Sequence, residues 1–178
     1  LCQTLGIEPG RKYESEGGPT LAMCCTAVMQ HSSKPALDKK RMLEWAVFNV
    51  AVGNMDSHAK NLSLLTMGGH TRLAPFYDLV CTTVYKHLSR RFAFKIGGEN
   101  RPGWMMGRHW DRLAVELAVK PQLLLTIRLD ICLRIERELP KVAGALRAQV
   151  AHREGLAMIG LVEAQIRRCT GQVVARTA

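Results

Sequence analysis

A nearly continuous run of apolar side chains extends from Met42 to Val52 and dominates the first third of the chain. A run this apolar without a clean period is typical of a buried helix or a buried strand, and its length and the charged stretch 38–41 before it favour a helix. Asp38 is the predicted N-cap of this helix, and Gly53 is its predicted end, because glycine commonly terminates helices. The polar residues after Gly53 are therefore predicted to form a loop at the end of a rigid element.

A short hairpin is predicted next along the chain. Its first strand is predicted over 62–66, its turn over 67–70, and its returning strand over 71–74. The remaining segments are mostly predicted to be helical, and the fold class is therefore mainly α with a small β-hairpin. The predicted helices cover 20–30 with Thr20 as N-cap, 105–119, a segment that starts at Pro121 and ends or kinks at Pro140, and 156–174.

Composition indicates one globular unit over residues 1–178. Hydrophobic residues make up 47% of the chain and charged residues 22%, which is ordinary for a folded domain. No apolar run approaches the roughly 18 residues that a membrane span needs, and no signal peptide is recognisable, so a cytoplasmic protein is expected. The six cysteines lack metal-type spacing and are expected to be reduced thiols.

The candidate catalytic and metal-binding residues lie in the loop after Gly53 and just after the hairpin that follows it. Asp56 precedes Asn61 by five positions, and Asp78 follows the predicted hairpin that Asn61 enters. Paired strands lie about 4.8 Å apart, so Asn61 and Asp78 can share one cation at the open end of the hairpin. Their oxygen ligands suit Mg²⁺, and the spacing D-x-x-x-x-N is typical of phosphoryl transfer, in which the Asp orients the acceptor hydroxyl and the Asn holds metal.

Each of these residues also has an ordinary structural interpretation. Asn54 and Asp56 can be turn formers, His58 a structural histidine, and Lys60 a solvated charge. The ordered combination of Asp56, His58, Lys60 and Asn61 with a hairpin and a Tyr-Asp pair favours phosphoryl transfer over these separate interpretations.

These same segments resemble the HipA family of serine/threonine kinases, several of which are toxins of bacterial toxin–antitoxin pairs. The specific similarity lies in 53–61 and 73–78, and weaker similarity includes 1–6, 12–14 with 17–19, and 91–98. The resemblance covers most of residues 1–118. It implies that Asp56 is the catalytic acid/base and that Asn61 and Asp78 hold Mg²⁺ against the phosphates of ATP. It further implies a nucleotide-binding set of His58, Ala59, Lys60, Asn61, Tyr77 and Asp78.

The resemblance also implies which part of a kinase this chain represents. The chain corresponds to the C-terminal helical lobe of a protein-kinase-like fold, and the N-terminal β lobe with its phosphate-covering loop is expected to be absent. No P-loop or G-x-G-x-x-G motif is recognisable, so the chain alone is expected to be a poor kinase. The implied partners are a protein substrate such as an aminoacyl-tRNA synthetase, a helix-turn-helix antitoxin, and operator DNA bound through that antitoxin.

Two other classes of function stay open on sequence grounds. The formal net charge is +10, but the basic residues are dispersed, with short clusters only at 39–41, 90–91 and 167–168. They are compatible with a non-catalytic kinase-like module that binds an antitoxin or DNA. A metal-dependent hydrolase that uses Asp56 with His58 is the third hypothesis.

Overall fold

Five helices and one two-stranded antiparallel hairpin form the part of the chain that the computed structural model describes, residues 1–8 and 10–175. Short 3₁₀ turns at Glu14–Glu16, Ala59–Asn61, Thr82–Val84 and Pro102–Trp104 connect them. The predicted mainly α fold with a small hairpin is thus confirmed. The elements are α1 (Leu21–His31), α2 (Pro35–Val52), β1 (Leu64–Met67), β2 (His70–Leu73), α3 (Gly107–Glu116), α4 (Pro121–Gln149) and α5 (Arg153–Ala175).

Helix α2 is the central element, because α1, α4 and α5 all pack against it. Its apolar side chains, including Trp45, Val47 and Ala51, are buried in the core, as the apolar run predicted. Burial of each large side chain of this kind stabilises the fold by about 1.5–3 kcal/mol. The helix ends at Gly53, which has a φ of 75°, as predicted.

Gly53 also permits a close approach between two segments. A Cβ atom at this position would lie 2.5 Å from the Oγ1 atom of Thr83, and the Gly53 carbonyl accepts a hydrogen bond from Thr83 N at 3.2 Å. Only glycine combines the left-handed φ with the space that this contact requires. The start of the polar loop is therefore held against the 3₁₀ turn Thr82–Val84.

The predicted N-cap role of Asp38 is wrong. Lys34 is the N-cap residue, and Pro35 occupies the first turn of α2. The Asp38 carboxylate is fully buried and accepts hydrogen bonds from Arg72 Nε and Nη2 at 2.9 and 2.8 Å and from Leu73 N at 2.9 Å. This acid therefore joins α2 to β2 instead of capping a helix.

Several predicted boundaries shift in the structure. The hairpin turn contains only Gly68 and Gly69, both with positive φ, so β1 ends and β2 begins closer to the turn than predicted. Helix α4 does not end at Pro140 but continues to Gln149. Proline inside a helix costs about 3 kcal/mol, and the extensive packing of α5 along α4 offsets that cost. Helix α3 is shorter than predicted, and α5 contains the predicted last helix.

Two expectations from composition concern the chain as a whole. Within the described residues, no helix has both the length and the apolar character that crossing a bilayer requires.

All six cysteines are free thiols in the structure, and burial raises the pKa of Cys24 to about 12. The thiols therefore pack as small apolar groups rather than forming a disulfide framework.

We predict that Asp38→Asn lowers the free energy of unfolding by about 1–3 kcal/mol at pH 7, because it removes the buried carboxylate that accepts hydrogen bonds from Arg72 and Leu73 N. Although burial alone would raise it, hydrogen bonds from Arg72, Ser32 and Leu73 hold the pKa of Asp38 well below its ordinary value. Its stabilisation is therefore complete above the unfolded pKa of about 3.9 and is lost as pH falls below that value.

Chemical denaturation at pH 7 and pH 3 measures this effect. The difference in the free energy of unfolding between wild type and Asp38→Asn should be smaller at pH 3 than at pH 7. The exposed ion pair between Asp130 and Arg134 provides a matched control, and Asp130→Asn should cost less than about 1 kcal/mol. If the two substitutions lowered the free energy of unfolding equally, the proposed role of Asp38 in joining α2 to β2 would be contradicted.

Candidate active site

Asn54 organises the loop that follows α2. Its side chain is 1% exposed, and its Nδ2 atom donates hydrogen bonds to Asn49 Oδ1 at 2.8 Å and to the Asp78 carbonyl at 3.0 Å. Its Oδ1 atom accepts from Asp56 N at 3.1 Å, which is the local bond of an Asx turn. One amide side chain thus connects α2, the Asp56 backbone and the Asp78 backbone.

The Asp56 carboxylate is partly exposed, and its contacts converge on one oxygen. Oδ1 accepts a short hydrogen bond from the Tyr13 hydroxyl, and it lies 3.5 Å from Lys12 Nζ and 3.6 Å from His58 Nε2. Oδ2 has no hydrogen bond to any described residue. A substrate hydroxyl could therefore approach Oδ2 while the other oxygen is held in place.

His58 is buried beside this carboxylate, and its ring meets the Tyr13 ring edge-on with centroids 5.6 Å apart. Burial lowers the pKa of His58, and the charge of Lys12 lowers it further, whereas Asp56 and Asp78 oppose the change. The imidazole is therefore neutral at pH 7. Its backbone N–H donates to Asn61 Oδ1 at 2.9 Å, which ties this residue to the next part of the site.

Asn61 and Asp78 meet, as the hairpin geometry suggested. Asn61 is buried, and its Nδ2 atom donates to Asp78 Oδ2 at 2.7 Å. Asp78 adopts a left-handed φ of 58°, which is uncommon outside glycine and costs about 1–2 kcal/mol. The hydrogen bonds to its backbone and side chain hold the carboxylate in this conformation.

The pair fits Mg²⁺ in the chemistry of its donors. Asp78 offers an exposed carboxylate, and Asn61 Oδ1 retains one lone pair after accepting from His58 N. No group of three or more His, Cys, Asp or Glu side chains suited to a metal occurs among the described residues. Mg²⁺ commonly takes only one or two protein carboxylates and completes its shell with water and phosphate.

The other three residues of the predicted nucleotide-binding set are Ala59, Lys60 and Tyr77, which adjoin Asn61 and Asp78 in the sequence and differ in their exposure to solvent. The Lys60 side chain is exposed. The Tyr77 hydroxyl donates a hydrogen bond to the Lys60 carbonyl, which connects the loop after α2 to the segment that contains Asp78. Ala59 is fully buried, and its carbonyl accepts hydrogen bonds from the Leu1 ammonium at 2.7 Å and from Leu62 N at 3.3 Å. Contacts of these residues with nucleotide stay predictions, as do the roles of Asp56, Asn61 and Asp78.

Lys12 and Tyr13 are part of the site, but sequence reasoning used them only as elements of the resemblance. Tyr13 is 43 positions from Asp56, and no local spacing signals their contact. Burial and the hydrogen bond to Asp56 raise the pKa of Tyr13, so its hydroxyl remains a donor at neutral pH. Thr82 also lacks a sequence signal: its Oγ1 accepts from Met55 N at 2.7 Å and donates to the Gly53 carbonyl at 3.2 Å.

Comparison with known proteins identifies the family of this chain. Residues 1–139 match the model of the HipA-like C-terminal domain. The chain belongs to this family. The matched region contains every residue of the candidate site described above.

Relatives in this family include proteins named as kinases. Y4mE of Sinorhizobium fredii, named as a kinase, is 41% identical over 119 residues, covering 67% of this chain and 28% of the relative. The serine/threonine-protein kinase toxin HipA of Shewanella oneidensis is 27% identical over 158 residues, covering 79% of this chain and 35% of the relative. The chain thus spans about a third of the length of these relatives.

A solved structure shares the fold of nearly the entire chain. It belongs to the Shewanella oneidensis toxin–antitoxin system of HipA, HipB and operator DNA. The match has a TM-score of 0.89 and 23% identity, and it covers 99% of this chain and 44% of the matched chain. The HipA-like resemblance predicted from the loop motifs is therefore confirmed for both family and fold.

We predict opposite shifts of the His58 pKa in two variants. Lys12→Met should raise the pKa of His58, because it removes a nearby positive charge, and Asp56→Asn should lower it, because it removes a negative one. An NMR titration of the imidazole Cε1–H signal measures both directions. Lys141→Met, on the exposed part of α4, is the control and should leave the His58 titration unchanged. Shifts of the same sign in the first two variants would contradict the described cluster.

Proposed function

We propose that this chain supplies the catalytic lobe of an ATP- and Mg²⁺-dependent serine/threonine protein kinase of the HipA type. One observation carries the proposal: Asp56 presents an oxygen without a hydrogen bond, on the same loop that holds the Asn61–Asp78 pair. The hydrogen bonds of Asn54 connect these groups. Phosphoryl transfer needs a proton acceptor and nearby side chains with metal-type oxygen atoms, which Asp56, Asn61 and Asp78 supply.

In the proposed reaction, bound Mg·ATP supplies the γ-phosphoryl group and the neutralising charge. Asp56 Oδ2 orients the serine or threonine hydroxyl and accepts its proton as the oxygen bonds to phosphorus, and ADP leaves. Lys12 and Tyr13 hold Oδ1, which limits rotation of the carboxylate. Asn61 and Asp78 are the proposed metal ligands, and Lys60 offers a point charge to phosphate at the exposed edge.

The partners follow from relatives and are proposals for this chain. The matched relatives extend well beyond the shared region, and we propose that full activity needs a second lobe that covers the phosphates. The structural neighbour is a complex of HipA with HipB and operator DNA, which supports a DNA-binding antitoxin as a partner. The proposed substrate is a cytoplasmic protein of translation, such as an aminoacyl-tRNA synthetase.

We predict that this chain binds ATP in the presence of Mg²⁺ and that Asp78→Ala weakens binding at least tenfold, because it removes a metal ligand. Isothermal titration calorimetry with and without Mg²⁺ measures the difference. Asp130→Ala removes an exposed carboxylate from α4 and is the matched control. Asp56→Ala should keep the affinity for Mg·ATP, because this residue acts on the acceptor hydroxyl.

Two results would count against the kinase proposal. If neither this chain nor a longer protein that contains it binds Mg·ATP, the non-catalytic binding module becomes the better account. If metal binds without nucleotide and its affinity depends on Asp56 and His58, the metal-dependent hydrolase gains support instead.

A further inference from the structure

An arginine-rich cleft of about 380 Å³ lies next to the candidate active site. The segment after Asp78, the turn Pro102–Trp104 and helix α5 form its walls. Among the described residues that line it, none is acidic and four are arginines. The side chains that matter for the argument are Met55, Arg90, Arg91, Arg101, Trp104 and Arg168.

Three of the four arginines have uncompensated charge. Arg101 forms a bidentate pair with Glu99 at 2.8 and 2.7 Å, and this guanidinium lowers the pKa of Glu99 to about 2, so the pair stays ionised. Arg90, Arg91 and Arg168 are exposed and form no ion pair within the described part of the chain. Like charges repel, so their convergence favours an anionic ligand.

The cleft also has an aromatic wall. Trp104 is 64% exposed, although its ring is large and apolar, and the Arg101 guanidinium lies 4.4 Å from the ring centroid. The Glu99 pair fixes Arg101, and the stacked Arg101 in turn supports the indole. Tryptophan and arginine are both enriched among the residues that contribute most of the binding energy at protein interfaces.

The position of the cleft connects it to the proposed acceptor site. Met55 lines the cleft and is directly followed by Asp56, so the two Cα atoms are only about 3.8 Å apart. Thr83, which contacts Gly53 at the start of the same loop, lines the cleft as well. A chain that lies in the cleft therefore contacts the loop that carries Asp56, although Asp56 itself does not line the cleft.

We propose that this cleft binds the acceptor polypeptide and selects segments with acidic side chains beside the phosphorylated serine or threonine. The proposal rests on the kinase function proposed above and adds a substrate class to it. A cleft of this size accommodates a few side chains, and apolar contacts with Trp104 and Met55 complement the arginine charges. Specific nucleic-acid sites bury roughly 600–2,500 Å² of protein surface, whereas these arginines and Trp104 line one compact cleft.

Trp104 makes the test direct, because the other two tryptophans, Trp45 and Trp110, are 2% and 3% exposed. Tryptophan fluorescence of this chain is titrated at about 50 mM salt with the acetylated peptide Glu-Leu-Ser-Glu-amide and with the matched peptide Gln-Leu-Ser-Gln-amide. We expect the acidic peptide to change the Trp104 emission and to bind at least tenfold more tightly than the neutral peptide.

Variants locate the binding. Arg168→Gln and Arg91→Gln should each weaken the acidic peptide about tenfold or more, because each removes a charge-assisted contact. Arg153→Gln is the matched control: it lies in the same helix, exposed and roughly 22 Å from Arg168 along the axis, and should leave affinity unchanged. Unchanged circular dichroism shows that each variant is folded, and all three positions are exposed.

Equal affinity for the acidic and the neutral peptide would overturn the proposal. So would equal effects of Arg153→Gln and Arg168→Gln on the affinity for the acidic peptide. Tighter binding of the oligonucleotide dT₆ than of the acidic peptide would also overturn it. Failure of Mg·ATP binding both in this chain and in a longer protein that contains it, together with intact peptide binding, would reject the kinase proposal and leave the cleft as a peptide site. The reverse outcome would reject the cleft alone.

Discussion

The buried side chain of Asn54 is the constraint on which the candidate site depends. Both hydrogens of its Nδ2 atom and its Oδ1 atom are engaged, and they connect α2 to the backbones of Asp56 and Asp78. A buried donor or acceptor that loses its partner costs about 1–3 kcal/mol, so these bonds resist independent movement of the connected segments. The proton acceptor and the metal-type pair are therefore placed by one shared group.

Two further contacts give this arrangement its rigid frame. Gly53 allows the loop to start close to Thr83, and Asp38 holds the hairpin strand β2 against α2 through Arg72. The hairpin lies between Asn61 and Asp78 in the chain, so fixing it to α2 also limits where Asp78 can lie. Arg41 strengthens the same junction by donating to the Leu73 carbonyl at 2.7 Å.

Local patterns are sufficient to predict part of this structure. The end of α2 at Gly53, the hairpin, and the approach of Asn61 to Asp78 all follow from short-range signals. The prediction for Asp38 is wrong because an acid before an apolar run has the same local pattern whether it caps a helix or forms a buried ion pair. The continuation of α4 through Pro140 depends on packing against α5, which no local pattern reveals.

Long-range contacts account for the rest. Tyr13 reaches Asp56 across 43 positions, and the arginine cleft joins Arg101 to two short basic clusters, at 90–91 and 167–168, that are far apart in the sequence. Their proximity exists only because α5 returns to pack against α2 and the Thr82–Val84 turn. The sequence shows the chemical type of each residue. It does not show that Lys12 and Tyr13 contact Asp56 or that the arginines line one cleft, because the fold creates these contacts.

The most direct test of the central claim is the location of the metal. Mn²⁺ can replace Mg²⁺ and broadens NMR signals of nearby nuclei, so it is added with ATP to ¹⁵N-labelled chain. The proposed metal site predicts selective broadening of the Asn61 side-chain amide and the Asp78 backbone amide, and its loss in Asp78→Ala. Broadening that spares both signals, or that persists in Asp78→Ala, would contradict the proposed metal site and the phosphoryl-transfer function built on it.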